Sequence, residues 1–207
     1  MIIGVDEVGT GALAGPICVG AAIAPNDVPN WNLGVRDSKK MSRESREAAC
    51  IRMKALGVKT AVGWSSSAEV DTYGMRISLQ MAASRAIERV CRQIDPAEPI
   101  SLLIDGNWDF NIKGAFTVVK GDATVPVISA ASVVAKVARD KLMIALSKKY
   151  PAYGWEKGVG YGTEQHLRKL YSVGPCVHHR VSTRTLQAYL LQEKEKYLEE
   201  AFSIKPV

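Results

Sequence analysis

Apolar positions fall into short blocks near the start of the chain and into helical periodicities later on. Ile2 to Val5 and Pro16 to Ala24 are apolar segments separated by Gly9-Thr10-Gly11-Ala12-Leu13-Ala14-Gly15. This pattern predicts two strands joined as an early β-hairpin by a flexible, glycine-bearing connection. From Ser42 to Leu56 the apolar residues Ala48, Ile51, Met53 and Ala55 recur among charged ones, with Ser42 as a cap and Gly57 as a stop, predicting a first helix. Lys59 to Trp64 reads as another strand. From about Met75 to Ile94, helical spacing runs through Met81, Ala82, Ala86, Val90 and Ile94 and closes at Asp95-Pro96. Tyr73-Gly74 could interrupt a helix that starts nearer Ala68, and propensity leaves that boundary open.

Leu102 to Ile104 is a short buried-strand candidate that runs into Asp105-Gly106-Asn107, and Phe116 to Val119 is another that leads toward Lys120-Gly121-Asp122. Both strands are expected to end at an aspartate. Ser129 to Lys148 predicts a strong helix with Ala130, Val133, Val134, Val137, Leu142 and Leu146 on its apolar face, ended by Tyr150-Pro151. A glycine-rich aromatic stretch, Tyr153 to Gly162, precedes helices near Thr163 to Tyr171 and Thr183 to Ala201. Early strands with interleaved and appended helices predict an α/β fold with a mixed central β-sheet flanked by helices.

The length of 207 residues suits one domain spanning 1–207, with a C-terminal helical extension from about residue 163. An apolar fraction of 47% and a charged fraction of 23% are ordinary for a globular protein, and no run of about 20 apolar residues suggests a membrane span. The opening Met1-Ile2-Ile3-Gly4 lacks the basic start of a secretory signal. Cys18, Cys50, Cys91 and Cys176 form no C-x-x-C pair, which argues against a disulfide framework or a thiolate zinc site and predicts a cytoplasmic setting. The first three of these lie in apolar patterns and read as small core residues. No obligatory protein partner is indicated, and a monomer is expected. The net charge of +6 favours polyanionic partners, because neutralising phosphates releases counterions, but charge alone fits a basic protein of any function.

The candidate chemistry lies in acids at strand ends. Asp6-Glu7 follows an apolar strand just before Gly9 and Gly11. Neighbouring strand residues point to opposite faces, so both acids serve one site only if the backbone turns there, as the glycines allow. Asp105 directly follows a strand and Asp122 follows another, and strand ends are where open α/β sheets assemble sites. Four converging carboxylates would repel one another unless cations offset the charge, which makes an oxygen-ligand Mg²⁺ or Mn²⁺ site the economical expectation. Two such cations about 3.5–4 Å apart would suit phosphodiester hydrolysis. Asp140 is a supporting candidate that either faces this site or is an ion-paired helix acid. Lys136 is either a phosphate contact or a helix lysine with its stem on apolar surface. His166, His178 and His179 fit no zinc spacing, and His166 and His179 are expected to be structural. Tyr153, Trp155 and Tyr161 interleave with Lys157, a composition suited either to stacking on sugars or bases or to core packing.

These residues together resemble a family. Gly4-Val5-Asp6-Glu7-Val8-Gly9-Thr10-Gly11, Asp37-Ser38-Lys39-Lys40, Asp105-Gly106-Asn107, the run Lys120 to Asp140, Gly160-Tyr161-Gly162-Thr163 and His179-Arg180 are similar, in order, to the motifs of ribonuclease HII. The resemblance spans about residues 2 to 183. It implies a ribonuclease H-like fold, with Asp6, Glu7, Asp105 and Asp122 as catalytic, metal-holding acids. It also implies an activity on RNA-DNA hybrids and on ribonucleotides embedded in duplex DNA, leaving 3′-hydroxyl and 5′-phosphate ends. Tyr161 would pack on a sugar at the RNA-DNA junction, the Gly9-Thr10-Gly11 loop would sense the ribose 2′-hydroxyl, and Ser38, Lys39 and Lys40 would contact substrate. The family pattern has arginine where this chain has Thr10, which cannot supply a charged fork to a phosphate. Either backbone recognition survives with a weaker grip, or preference for single ribonucleotides is reduced. The sister ribonuclease HIII family carries an additional N-terminal domain, and a catalytic strand opening at residue 2 favours HII. A resolvase on the same fold is disfavoured by Gly160-Tyr161-Gly162-Thr163. A hybrid-binding protein with weak or no turnover is the alternative that Thr10 raises.

Overall fold

The computed structural model describes residues 1–25 and 41–203, so the expectations for Ser38, Lys39 and Lys40 fall outside the described residues. Among the described residues, strands β1 (Ile2–Val8), β2 (Ile17–Ile23), β3 (Lys59–Ser65), β4 (Ser101–Asp105) and β5 (Ala115–Val118) form one sheet in the order β3-β2-β1-β4-β5. The expected hairpin is present: β1 pairs antiparallel with β2, and β2 with β3. β1 pairs parallel with β4, and β4 with β5, so the sheet is mixed and β1 lies at its centre.

Period-two alternation divides the sheet into two faces. Ile3, Val5, Val19, Ala21 and Ile104 pack with Leu79, Ala82, Ala83 and Ala86 of helix α2 (Ser67–Cys91). On the other face, Ala22 packs with Ala130, Ala131 and Val133 of helix α4 (Pro126–Lys149) and with Ala49 and Met53 of helix α1 (Arg43–Ala55). α4 lies unusually close to the sheet because two strand positions facing it are glycines. A Cβ on Gly4 would sit 2.2 Å from the Val127 carbonyl carbon, and one on Gly20 would sit 2.1 Å from the Ala131 oxygen. The start of α4 is thereby held against β1, where Asp6 emerges.

Local chemistry explains the element boundaries. Ser42 caps α1 by accepting from the Ser45 amide, and Gly57 follows with φ of 75°. α2 begins well before Met75, because Ser66 and Glu69 form a reciprocal capping box, and Gly74 interrupts it with φ 77° and ψ 167°. α4 begins three residues ahead of the expected Ser129, with Pro126 in its first turn, where a missing N–H costs nothing. The expectation that Asp122 ends a strand is corrected. β5 stops at Val118, Lys120 takes a left-handed φ of 57°, and Asp122 sits in the one-turn helix α3 (Gly121–Thr124). Beyond α4 come a 3-10 turn at Pro151–Tyr153 and helices α5 (Trp155–Gly158), α6 (Glu164–Val173) and α7 (Arg184–Ser203). Cys18 is buried, Cys50 and Cys91 are half-buried against the core, and all four cysteines are free. Among the described residues no helix is long and apolar enough to cross a membrane.

Candidate active site

Three of the four acids singled out in the sequence meet. Asp6, Asp105 and Asp122 each offer a carboxylate oxygen, and these oxygens all lie within 4.8 Å of one another. The sheet explains why. Val5 and Ile104 are register partners on the α2 face, so the next residues, Asp6 and Asp105, emerge together on the α4 face. The turn after β5 then brings Asp122 across. Its amide donates to Asp105 Oδ1 at 3.2 Å, and its own carbonyl accepts from the Ser129 hydroxyl on α4. Gly121 permits this turn, since a Cβ there would stand 2.5 Å from Ile128 Cδ1.

Glu7 is placed differently. β1 continues unbroken through Val8, with Glu7 paired to Val19, and Glu7 lies outside the group of three. Its charge still acts on Asp6. The Asp6 carboxyl is pushed up to about 8, first by burial and then by the Glu7 charge, with Asp105 adding to the effect. Hydrogen bonds from the Ser132 hydroxyl and the Glu7 amide, the latter at 2.8 Å, oppose the rise. Clustered carboxylate oxygens, with the buried Asp6 raised in proton affinity by burial and by its acidic neighbours, suit a hard divalent cation that would take the place of a proton.

Asp140 is buried but separate from that cluster. It takes Lys136 at 2.8 Å and Arg46 at 3.3 Å, tying α4 to α1 as an ion-paired helix acid. Lys136 is engaged in the same pair.

The glycine loop is built around two arginines whose burial sequence reasoning missed. Arg139 and Arg180 are both fully buried. Arg139 donates to the carbonyls of Pro16 (2.9 Å), Val159 (2.8 Å) and Ala14 (3.1 Å), and its guanidinium carbon lies 5.5 Å from the Tyr161 ring centroid. Arg180 donates to Gly15 O at 2.9 Å and to Thr10 O at 3.1 Å. Gly9 has φ of 90°, and a Cβ there would lie 2.2 Å from Arg139 Nε. Its lack of a side chain therefore serves internal packing. Gly11 is exposed and its nearest neighbour is Tyr161, whose Cε1 would be 3.9 Å from an added Cβ. Tyr153 and Trp155 are buried and stacked at 5.0 Å, which makes them core residues. The available signal for the missed residues was a pair of serines three apart, Ser129 and Ser132; Arg139 stands among Lys136, Asp140 and Lys141 and looks like a surface charge.

Comparison with known proteins gives the family and the fold. A family profile described as Ribonuclease HII matches residues 3–186. Ribonuclease HII of Sphingopyxis alaskensis is 40% identical over 186 residues, covering 88% of each chain. That of Bordetella pertussis is 39% identical over 190 residues, covering 91% of each. A solved chain of the PCNA:RNase HII complex from Archaeoglobus fulgidus superposes with a TM-score of 0.74 at 22% identity, covering 91% of this chain and 96% of that one. Bst-RNase HIII in complex with Mn²⁺ gives 0.73 at 20% identity, covering 94% of this chain and 70% of that one. The structural likeness carries the fold and the sequence matches carry the family: this chain belongs to the ribonuclease HII family and is a ribonuclease H-type hydrolase.

Proposed function

We propose that this enzyme cuts the RNA strand of RNA-DNA hybrids, and ribonucleotides embedded in duplex DNA, leaving 3′-hydroxyl and 5′-phosphate ends. The observation that carries the reading is the meeting of Asp6, Asp105 and Asp122 at one end of the sheet. These three would hold Mg²⁺ or Mn²⁺, with Glu7 completing the set from the adjoining strand position. Divalent ions held there would supply an activated water and charge stabilisation for the leaving oxygen. Asp6, buried at the centre of the sheet, would be a ligand whose charge the cation offsets. Ser132 and the Glu7 amide fix its carboxylate, and Ser129 fixes the backbone that carries Asp122.

Substrate choice is assigned to the other end of the loop. Gly11 and Tyr161 flank an exposed position where a ribose could lie between ring and backbone, with Gly9 and Thr10 shaping the loop behind it. The backbone there offers what is needed to read a 2′-hydroxyl, the group that distinguishes RNA from DNA. Ser38, Lys39 and Lys40 are proposed phosphate and sugar contacts, and Asp140 supports the site by anchoring α4. Thr10 leaves the loop without a charged fork for a phosphate.

The test is cleavage, with Mg²⁺ and with Mn²⁺, of a DNA duplex bearing one ribonucleotide, an RNA-DNA hybrid and plain DNA. Metal-dependent cutting of the first two and sparing of the third supports the reading. Tight hybrid binding without cutting favours a binding protein on the same fold.

A further inference from the structure

Tyr161 sits at the end of a backbone segment that does not hold its own shape. Val159 has φ of 41° and Gly160 has φ of 86°. A left-handed β-branched residue is strained and persists only where its surroundings enforce it. Those surroundings are on view. The Gly160 carbonyl accepts from the amides of Leu13 (2.9 Å) and Ala14 (3.1 Å), Val159 O takes Arg139, and Tyr161 O takes His166 Nδ1 at 2.8 Å.

His166 is in turn bonded to His179, Nε2 to Nε2 at 2.9 Å, and His179 Nδ1 meets the Cys176 amide at 2.9 Å. Only one proton arrangement satisfies this chain. The Cys176 N–H can only donate, so His179 Nδ1 is bare and its Nε2 carries the proton. The Tyr161 carbonyl can only accept, so His166 carries its proton on Nδ1 and accepts at Nε2, where Trp155 Nε1 also donates at 3.2 Å. Both rings are therefore neutral, and burial favours that state, lowering His166 and pushing His179 down to about 4. His179 also belongs to the segment that bridges Ala14, and the next amide, Arg180 N, donates to Leu13 O at 2.8 Å. One end of the histidine pair is thus bound to the glycine loop's continuation and the other to the Tyr161 backbone.

We propose that His166 and His179 are positioning residues, a neutral imidazole pair that sets Tyr161 against the Gly9-Thr10-Gly11 loop so that ring and loop present one preset gap to a ribose. The inference rests on the reading of Tyr161 as the residue that meets the sugar. Neither histidine touches the acid cluster, so their effect should fall on cleavage of ribonucleotide substrates through Tyr161.

The experiment is a double-mutant cycle on a DNA duplex with a single ribonucleotide, using full-length protein. His166→Phe keeps a ring and removes the bond to Tyr161 O, while His166→Asn places an amide N–H where Nδ1 was. His179→Asn still accepts from Cys176 but no longer reaches His166, and it serves if His166→Phe does not fold. Removing one buried hydrogen bond should lower kcat/KM about tenfold in His166→Phe and in His179→Asn. His166→Asn should recover most of the loss, and His166→Phe combined with Tyr161→Ala should be no worse than Tyr161→Ala alone. Additive losses with an impaired Tyr161→Ala, or a His166→Asn as poor as His166→Phe, overturn the positioning role at the histidines. A Tyr161→Ala that cleaves normally overturns it one step earlier, at the reading of Tyr161.

Discussion

The acid cluster and the Tyr161 corner are joined by the loop that follows β1 and manage charge in opposite ways. At the cluster, three carboxylates crowd within 4.8 Å and Asp6 is driven up to about 8, so the folded chain carries repulsion that a cation would relieve. At the corner, two fully buried guanidiniums are met by backbone carbonyls of Thr10, Ala14, Gly15, Pro16 and Val159, and two buried histidines are neutral and mutually bonded. One region is completed from outside, and the other meets its buried charges with its own backbone carbonyls, Arg180 Nη2 alone of these guanidinium nitrogens being buried without an acceptor. Chemistry and recognition can therefore be broken separately.

The largest effect is expected at the cluster. Asp6→Asn should reduce cleavage by about a thousandfold or more, the scale on which loss of a key electrostatic group acts. It should also raise the stability of the metal-free protein by about 1 kcal/mol, roughly 2–4 °C for a chain of this size, because it removes repulsion. Thermal melts with and without Mn²⁺ check both, and a metal-induced rise in Tm that survives the substitution would count against the site.

Next come the two glycines of the loop, which look alike in sequence. Gly9→Ala must push into Arg139 with a left-handed backbone and should destabilise the fold by about 1–3 kcal/mol in urea unfolding. Gly11→Ala should leave stability within about 0.5 kcal/mol, as exposed substitutions usually do, while lowering cleavage of the single-ribonucleotide duplex. Equal stability losses at both positions would erase the distinction between packing and recognition.

The smallest effects concern pH, and the two regions differ in sign. Metal-free, the Asp6 carboxyl keeps a proton up to about 8 that the unfolded chain releases near its ordinary value of 3.8. Its stabilising contribution is therefore present below that value and is lost as pH rises toward 8. His179 is held down to about 4 from an ordinary 6.5, so its contribution is present above 6.5 and is lost as pH falls toward 4. Wild-type stability between pH 6.5 and 8 should accordingly decline more steeply than that of Asp6→Asn, as followed by chemical unfolding without metal.

Much of the cluster was legible because a strand end followed by an acid is a local signal. Asp6 and Asp105 follow from the apolar runs before them, and the hairpin, the Ser42 cap and the Gly74 interruption follow from residue types alone. Asp122 was harder, because its position depends on a left-handed Lys120 and a one-turn helix that four residues of sequence do not announce. The placement of Glu7 depended on whether β1 turns at the glycines, and only the pairing of Glu7 with Val19 and Val8 with Cys18 shows that it runs on. The role of Gly9 was not legible at all. Its neighbour is Arg139, 130 residues away in sequence, and burial of an arginine among carbonyls is a tertiary fact with no local pattern.

The central claim is that Asp6, Asp105 and Asp122 hold the divalent cation and that Asp140 does not. Calorimetric titration of Mn²⁺ into wild type, Asp6→Asn, Asp122→Asn and Asp140→Asn, each verified as folded, tests it directly. Mn²⁺ affinity should fall at least about tenfold in Asp6→Asn and Asp122→Asn, no less than when a group that supports a ligand is lost, and be kept in Asp140→Asn. Unchanged binding in Asp6→Asn, or an equal loss in Asp140→Asn, would contradict it.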